Sequence, residues 1–524
     1  MEMDRTIIIT TGTLAQRSAP PFPFRTLPRL LRLLPSTPPR PPISRSISAC
    51  PSWKKSPIAF SSAKLAPPRQ RLSLISRHLT SNPLLPLNTP FSIERESSPA
   101  DDIPYNPPAR RYSTSSAAKP EQDTQLNTDE QQKTGKMSNQ EPHPALLIPG
   151  PIEFDDAVLG AMSHYSQSHV SQPFVNTFGE TLSMLRKLFQ TEDPSSQPFV
   201  ISGSGTLGWD QVAANLAEPG DDVLVLHTGY FADSFADCFE TYRVKPTQLK
   251  APIGDRPQLD EVEKALKEKK YKLLTVTHVD TSTGVLSEIK ALSDLVRRVS
   301  PETLLIVDGV CSVGCEDIQF DAWGIDCVIT ASQKAIGCPA GLSIVMASGR
   351  AIDSFRARKT PPTSYFASWR NWLPIMQNYE AKKPSYFATP SPQLIHALHT
   401  SLGQILARPL RERFDTHKAT SQKIKAKISQ LGLKQLAEKP ENQASGMTAI
   451  YLPEVNGKAL IPPEILPALL KKGVVFAGGL HKEIAARYIR FGHMGVSVMD
   501  QGRGDVERAL KALEEALVKV GYRK

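Results

Sequence analysis

Short apolar runs recur between Phe199 and Val345, each closed by glycine, proline or small polar residues. Phe199-Val200-Ile201, Val223-Leu224-Val225-Leu226, Leu273-Leu274-Thr275-Val276, Leu304-Leu305-Ile306-Val307 and Cys327-Val328-Ile329-Thr330 have strand length and no strict polar alternation. Runs of this kind predict strands buried on both faces of a sheet. Residues 207–217, 232–242 and 289–299 carry helical spacing between them. Strand alternating with helix predicts a mostly parallel sheet covered by helices on both faces. Past Val345 the pattern changes. Residues 361–386 are rich in aromatics and proline, and residues 393–431 read as one long helical stretch. From Gly446 a second set of short strands and helices predicts a smaller α+β domain, closed by a helix over residues 500–520.

Polar residues gather just after the predicted strands. Asp308 ends one run, and Lys334 follows another through Ala331-Ser332-Gln333. Open α/β sheets hold ligands at such strand ends. A lysine and an aspartate there suit pyridoxal phosphate: the amine forms a Schiff base with the aldehyde, and the carboxylate pairs with the pyridine nitrogen. The alternative is a loop-capping aspartate and a surface lysine. Ser202-Gly203-Ser204-Gly205-Thr206 precedes a helix and offers backbone N–H groups and hydroxyls to a phosphate, or serves as a plain turn. It lacks the Gly-Lys-Ser/Thr of a Walker loop and the spacing of a dinucleotide fingerprint. Phe231 stands where an aromatic can stack on a flat ring or plug the core. The hydroxyls of Thr281-Ser282-Thr283 reach a ring oxygen or cap the next helix. Arg490 interrupts an apolar strand and needs an anionic partner, either a substrate carboxylate or a protein acid.

Composition changes this picture at one end. The chain has 524 residues, 46 prolines and a net charge of +10. Between Arg5 and Ile93 stand 13 Lys or Arg and no acid, so the rest of the chain sums to −3. The basicity belongs to a leader, residues 1–136, and gives no reason to expect nucleic acid. Its Arg-, Ser-, Leu- and Pro-rich composition predicts a disordered segment resembling a mitochondrial transit peptide. A start at Met137 would leave the protein in the cytoplasm. No apolar run is long enough to span a membrane. The six cysteines show no paired metal spacing, and Cys311 and Cys315 read as buried free thiols. His396 and His399, at i and i+3 with no third ligand nearby, read as packing residues.

Six motifs in order resemble the class V branch of fold-type-I pyridoxal-phosphate aminotransferases, and within it the alanine–glyoxylate aminotransferases. They are Pro149-Gly150-Pro151, Ser202-Gly203-Ser204-Gly205-Thr206, Thr281-Ser282-Thr283-Gly284-Val285, Val307-Asp308-Gly309-Val310, Ser332-Gln333-Lys334-Ala335 and Tyr488-Ile489-Arg490-Phe491-Gly492-His493-Met494-Gly495. The likeness covers residues 147–522. It implies a large cofactor-binding domain with an N-terminal arm at 142–392, and a connecting helix with a small α+β domain at 393–524. It implies that Lys334 holds pyridoxal 5′-phosphate as an internal aldimine and shuttles the proton, with Asp308 on the pyridine nitrogen. Val310 and Phe231 would pack on the two ring faces, although the family commonly has a larger aromatic at Phe231. Ser204, Gly205, Thr206 and Gln333 would hold the phosphate, and Thr281 the ring hydroxyl. The family's mammalian members have His where Thr206 stands. Tyr386 and Thr389 would reach the phosphate in a neighbouring subunit, implying a homodimer with shared sites. Arg490 and the backbone of Gly150 would receive the carboxylate of a small amino or keto acid. The implied reaction moves the amino group of L-alanine to glyoxylate, or alternatively that of serine to glyoxylate or pyruvate. A cysteine desulfurase needs a reactive cysteine well beyond the lysine, and here the last cysteine is Cys338.

Overall fold

The computed structural model of the protein describes residues 138–523; the leader at 1–136 and the alternative start at Met137 lie outside them. The alternation from Phe199 onward forms seven strands. These are β1 (Gln197–Ser202), β2 (Asp222–His227), β3 (Lys245–Lys250), β4 (Leu273–Thr277), β5 (Leu304–Asp308), β6 (Cys327–Ala331) and β7 (Leu342–Ala347). They lie in the spatial order β1-β7-β6-β5-β4-β2-β3. β2, β3, β4, β5 and β6 pair in parallel, while β7 runs antiparallel to both β6 and β1. The central strands are buried along their whole length, as two covered faces require.

The register aligns the strand ends. Thr277 stands opposite Asp308, Asp308 opposite Ile329, and Ser202 opposite Leu342. The segments that follow β1, β2, β4, β5 and β6 therefore leave the sheet along one rim. Helix α1 (Gln172–Phe189), which lies before the stretch read as alternating strands and helices, buries Phe174, Phe178, Leu182 and Leu185 at helical spacing. Helix α2 (Gly205–Leu216) starts at the rim directly after β1.

The expected long helix over 393–431 is two helices, α3 (Pro392–Leu406) and α4 (Leu410–Gln430). Pro409 explains the break, because its ring has no N–H to donate and clashes with the preceding turn. The closing helix begins later than expected, at Asp505, since Gly504 enters it with φ of 62° after a short 3-10 turn. A second core surrounds a three-stranded antiparallel sheet, β8 (Met447–Tyr451), β9 (Ala477–Gly478) and β10 (Tyr488–Gly492), with β10 central. Ala145 and Leu147 pack into this second core, and Ala145–Leu146 pairs in parallel with Val474–Val475. The arm that the sequence assigns to the large domain thus ties itself to the small one, because a short strand needs a pairing edge. Among the described residues no helix is long and apolar enough to cross a membrane.

Candidate active site

One cavity on the rim is lined by Ser204, Gly205, Thr206, Phe231, Thr281, Asp308, Val310, Gln333 and Lys334, nine of the residues singled out from the sequence. Lys334 is only 9% exposed and Asp308 only 3%, so neither is a surface residue. The turn that carries Lys334 is fastened from below. Arg413 on α4 donates to the carbonyls of Gly314 and Ala335, both at 2.7 Å. Nζ of Lys334 donates to the Pro149 carbonyl. Gly150 follows with φ of +98°, and a Cβ there would stand 2.7 Å from Nζ. Only glycine combines that backbone with so close an approach to the amine.

Burial dominates the electrostatics. It lowers the Lys334 pKa, with Arg490 pushing the same way and Cys311 and Asp308 opposing. Burial raises the Asp308 pKa to about 6, opposed by two hydrogen bonds to its carboxylate. Trp209 Nε1 donates to Oδ2 at 2.8 Å, and the Val310 N–H donates to Oδ1 at 3.1 Å.

Arg490 projects from the middle of β10. Its Nε donates to the Gly478 carbonyl at 2.7 Å and its Nη1 to the Thr281 carbonyl at 3.1 Å. Among the described residues no carboxylate forms an ion pair with it, so the protein-acid alternative is not realised. A guanidinium so placed retains donors for an incoming carboxylate. The Thr281 loop is held from three sides. Asp280 accepts from Ser282 N and Oγ at 2.8 and 2.6 Å and from Thr228 Oγ1 at 3.1 Å. The Tyr488 hydroxyl donates to the Ser282 carbonyl and accepts from the N–H groups of Leu480 and His481 at 2.8 Å.

Tyr386 and Thr389 do not join the cavity within one chain. Their hydroxyls lie 3.5 Å apart, and Tyr386 is 60% exposed. Cys311 and Cys315 are free and buried, and Cys311 lines the cavity. His396 stacks on His164 at 3.8 Å, a packing contact. Sequence reasoning passed over Trp209, Asp280 and Tyr488 as site residues. The one signal for Trp209 was position, one helical turn beyond Gly205, with an indole N–H that needs a partner when buried.

The lining fits pyridoxal phosphate on observations of this chain. Helix α2 starts with no side-chain cap, leaving its first N–H groups to an anion. A Cβ on Gly205 would come within 2.9 Å of Val310 Cγ2, so a side chain there would have to displace Val310 from the cradle. The side-chain oxygen of Gln333 is buried with no partner at the cavity wall; turned about its last torsion, the same amide would present its NH2 donors to a phosphate. A buried amine and a buried carboxylate complete the donor set.

The comparisons agree with this geometry. The family model Aminotransferase class-V matches residues 155–484. Alanine–glyoxylate aminotransferase 1 of Saccharomyces cerevisiae is 43% identical over 381 residues, 71% of this chain and 97% of that protein. A serine–glyoxylate aminotransferase of Hyphomicrobium methylovorum is 29% identical, over 67% of this chain and 85% of that one. The crystal structure of an alanine–glyoxylate aminotransferase from Nostoc sp. superposes with a TM-score of 0.66 at 28% identity, covering 75% of this chain and all of the other. The family match over most of the folded chain and the rim geometry lead to one conclusion: this protein belongs to the class V aminotransferases.

Proposed function

We propose that this chain transfers the amino group of L-alanine to glyoxylate, giving pyruvate and glycine, with pyridoxal 5′-phosphate in the rim cavity. The observation that carries the reading is the convergence of Lys334 Nζ and the Asp308 carboxylate on one cavity, with Arg490 tied to the carbonyl of Thr281, a residue of its lining. When bound, the cofactor supplies an aldehyde that condenses with amines and a protonated ring that draws electrons from the substrate's Cα. Everything else falls to the protein. The α2 N-terminus, Ser204, Thr206 and Gln333 bind the phosphate; Val310 and Phe231 hold the ring flat. Asp308 keeps the pyridine proton in place. Arg490 and the Gly150 backbone orient the substrate carboxylate, which leaves Cα–H facing Lys334. Burial favours a neutral amine at Lys334 Nζ, so it can take the Cα proton from the donor and give one back to Cα of the product amino acid.

Alanine as donor is supported by the name of the S. cerevisiae relative; serine, the second reading, by that of the H. methylovorum relative. The test supplies the cofactor-loaded full chain with glyoxylate and either L-alanine or L-serine, and follows pyruvate, hydroxypyruvate and glycine. We expect kcat/KM for alanine to exceed that for serine, and Lys334→Ala to abolish both. Turnover with serine alone would overturn the alanine assignment.

The same reading makes the protein a homodimer, supported by the exposed aromatic face of Tyr365 (81% exposed) and Tyr386 outside the cavity. The basic leader, free of acids between Arg5 and Ile93, supports mitochondrial residence, where the reaction would serve glycine biosynthesis.

A further inference from the structure

We infer that Trp209 is a positioning residue for the cofactor: its indole N–H fixes the orientation of Asp308 and keeps that carboxylate charged against the pyridine nitrogen. The inference rests on the reading of the cavity as a pyridoxal phosphate site. It begins from the hydrogen bond between Trp209 Nε1 and Asp308 Oδ2, 2.8 Å long and buried at both ends. Indole is a donor only, so this bond is available to a carboxylate oxygen and not to a protonated hydroxyl pointing the same way. The ring has little freedom to leave. It stacks on Phe235 at 5.3 Å and 16°, and meets Phe231 edge-on at 6.3 Å.

The arrangement joins two functions in one helix. The first turn of α2 presents Gly205 and Thr206 to the cavity, and Trp209 stands one turn later, reaching across to β5. A single rigid element therefore sets both the phosphate cradle and the acid facing the ring nitrogen. Asp308 has reason to need such help. Burial and the neighbouring Asp280 both favour its neutral form. Lys334, Cys311, Asp280, the Trp209 N–H and the Val310 N–H are the polar and titratable groups around it; only Lys334 and the two N–H donors favour the charge.

The experiment is equilibrium dialysis of pyridoxal 5′-phosphate against full-length apoprotein, as wild type, Trp209→Phe, Asp308→Asn and the double variant, from pH 5 to 8. Phenylalanine keeps a ring against Phe235 and removes the donor. A hydrogen bond to a charged group carries enough energy for a loss of about tenfold or more in affinity in Trp209→Phe. The pH below which binding weakens should also move upward in that variant. In the Asp308→Asn background the same change should cost less than about threefold, because there is no charge left to support. Equal losses in both backgrounds, with an unmoved pH midpoint, would reduce Trp209 to packing and overturn the inference.

Should Trp209→Phe not fold, 15N-indole spectra of the wild-type apoprotein decide the matter. One of the five tryptophan signals should shift with Asp308 titration and stay still in Asp308→Asn; five unshifted signals would overturn the inference. Wild type that takes up no cofactor would sink the enzymatic reading instead, while the indole titration still reports on the Trp209–Asp308 bond.

Discussion

Asp308 shows how a functional residue is held at a cost. Its ordinary pKa of 3.8 rises to about 6 in the folded chain, mainly through burial. Between those values the folded protein binds more protons than the unfolded one, so stability falls as pH rises through the window. The ionised carboxylate in the cofactor-free protein then costs about 3 kcal/mol above pH 6 relative to its protonated form. Urea melts of apoprotein should therefore show wild type losing stability relative to Asp308→Asn from about pH 4 to 6, with the difference level above that range. Only the slope is diagnostic, since an asparagine cannot accept from both Trp209 and Val310 without one mismatch. A difference that grew in the opposite direction would mean that Asp308 is stabilised as an anion even without its partner. The cationic ring of the cofactor would remove the penalty, which links binding of the cofactor to recovery of stability.

At the scale of elements, the rim depends on how closely α2 lies on the sheet. Gly208 faces Ile329 on β6, and a Cβ there would stand 3.3 Å from Ile329 Cβ and closer still to its Cγ2. Gly208→Ala should push the helix outward, costing about 1–3 kcal/mol in a denaturant melt and loosening the cradle at its N-terminus. Unchanged stability with unchanged cofactor affinity would show that the helix has room to shift without consequence. This dependence also explains what could be read from sequence. Val307, Val328 and their neighbours announced buried strands, because covered parallel strands need nearly continuous apolar residues. Once the strands were placed, Asp308, Lys334, Gly205 and Thr281 fell on one rim by connectivity alone. Trp209 and Asp280 did not stand out, since their roles consist of contacts between segments far apart in the chain. The antiparallel return of β7 was hidden for a similar reason: a buried strand reads the same in either direction. Pro409 stands at the break between α3 and α4, but the helical spacing on both sides carried the reading across it as one helix.

The whole molecule raises the question of where one site ends. Within a single chain, Tyr386 and Thr389 lie outside the cavity that gathers the other cofactor-binding candidates. They precede α3, and the exposed Tyr386 rests its ring against His169 at 4.8 Å. In a twofold-symmetric dimer each such pair would complete the site of the other subunit. Complementation tests this arrangement. Lys334→Ala lacks the amine but keeps Tyr386 and Thr389; Tyr386→Ala with Thr389→Ala keeps the amine and lacks the pair. Each variant alone should be nearly inactive as a homodimer. Unfolded together and refolded at equal amounts, half of the dimers become mixed, and each mixed dimer holds one site with every group intact. Activity should then recover to about a quarter of wild type, following from random pairing across a twofold axis. If both partners of a site came from one chain, no mixture could rebuild it, and the refolded sample would stay as inactive as its parents. The outcome thus separates a dimer that merely packs two enzymes together from one whose chemistry is completed across its interface.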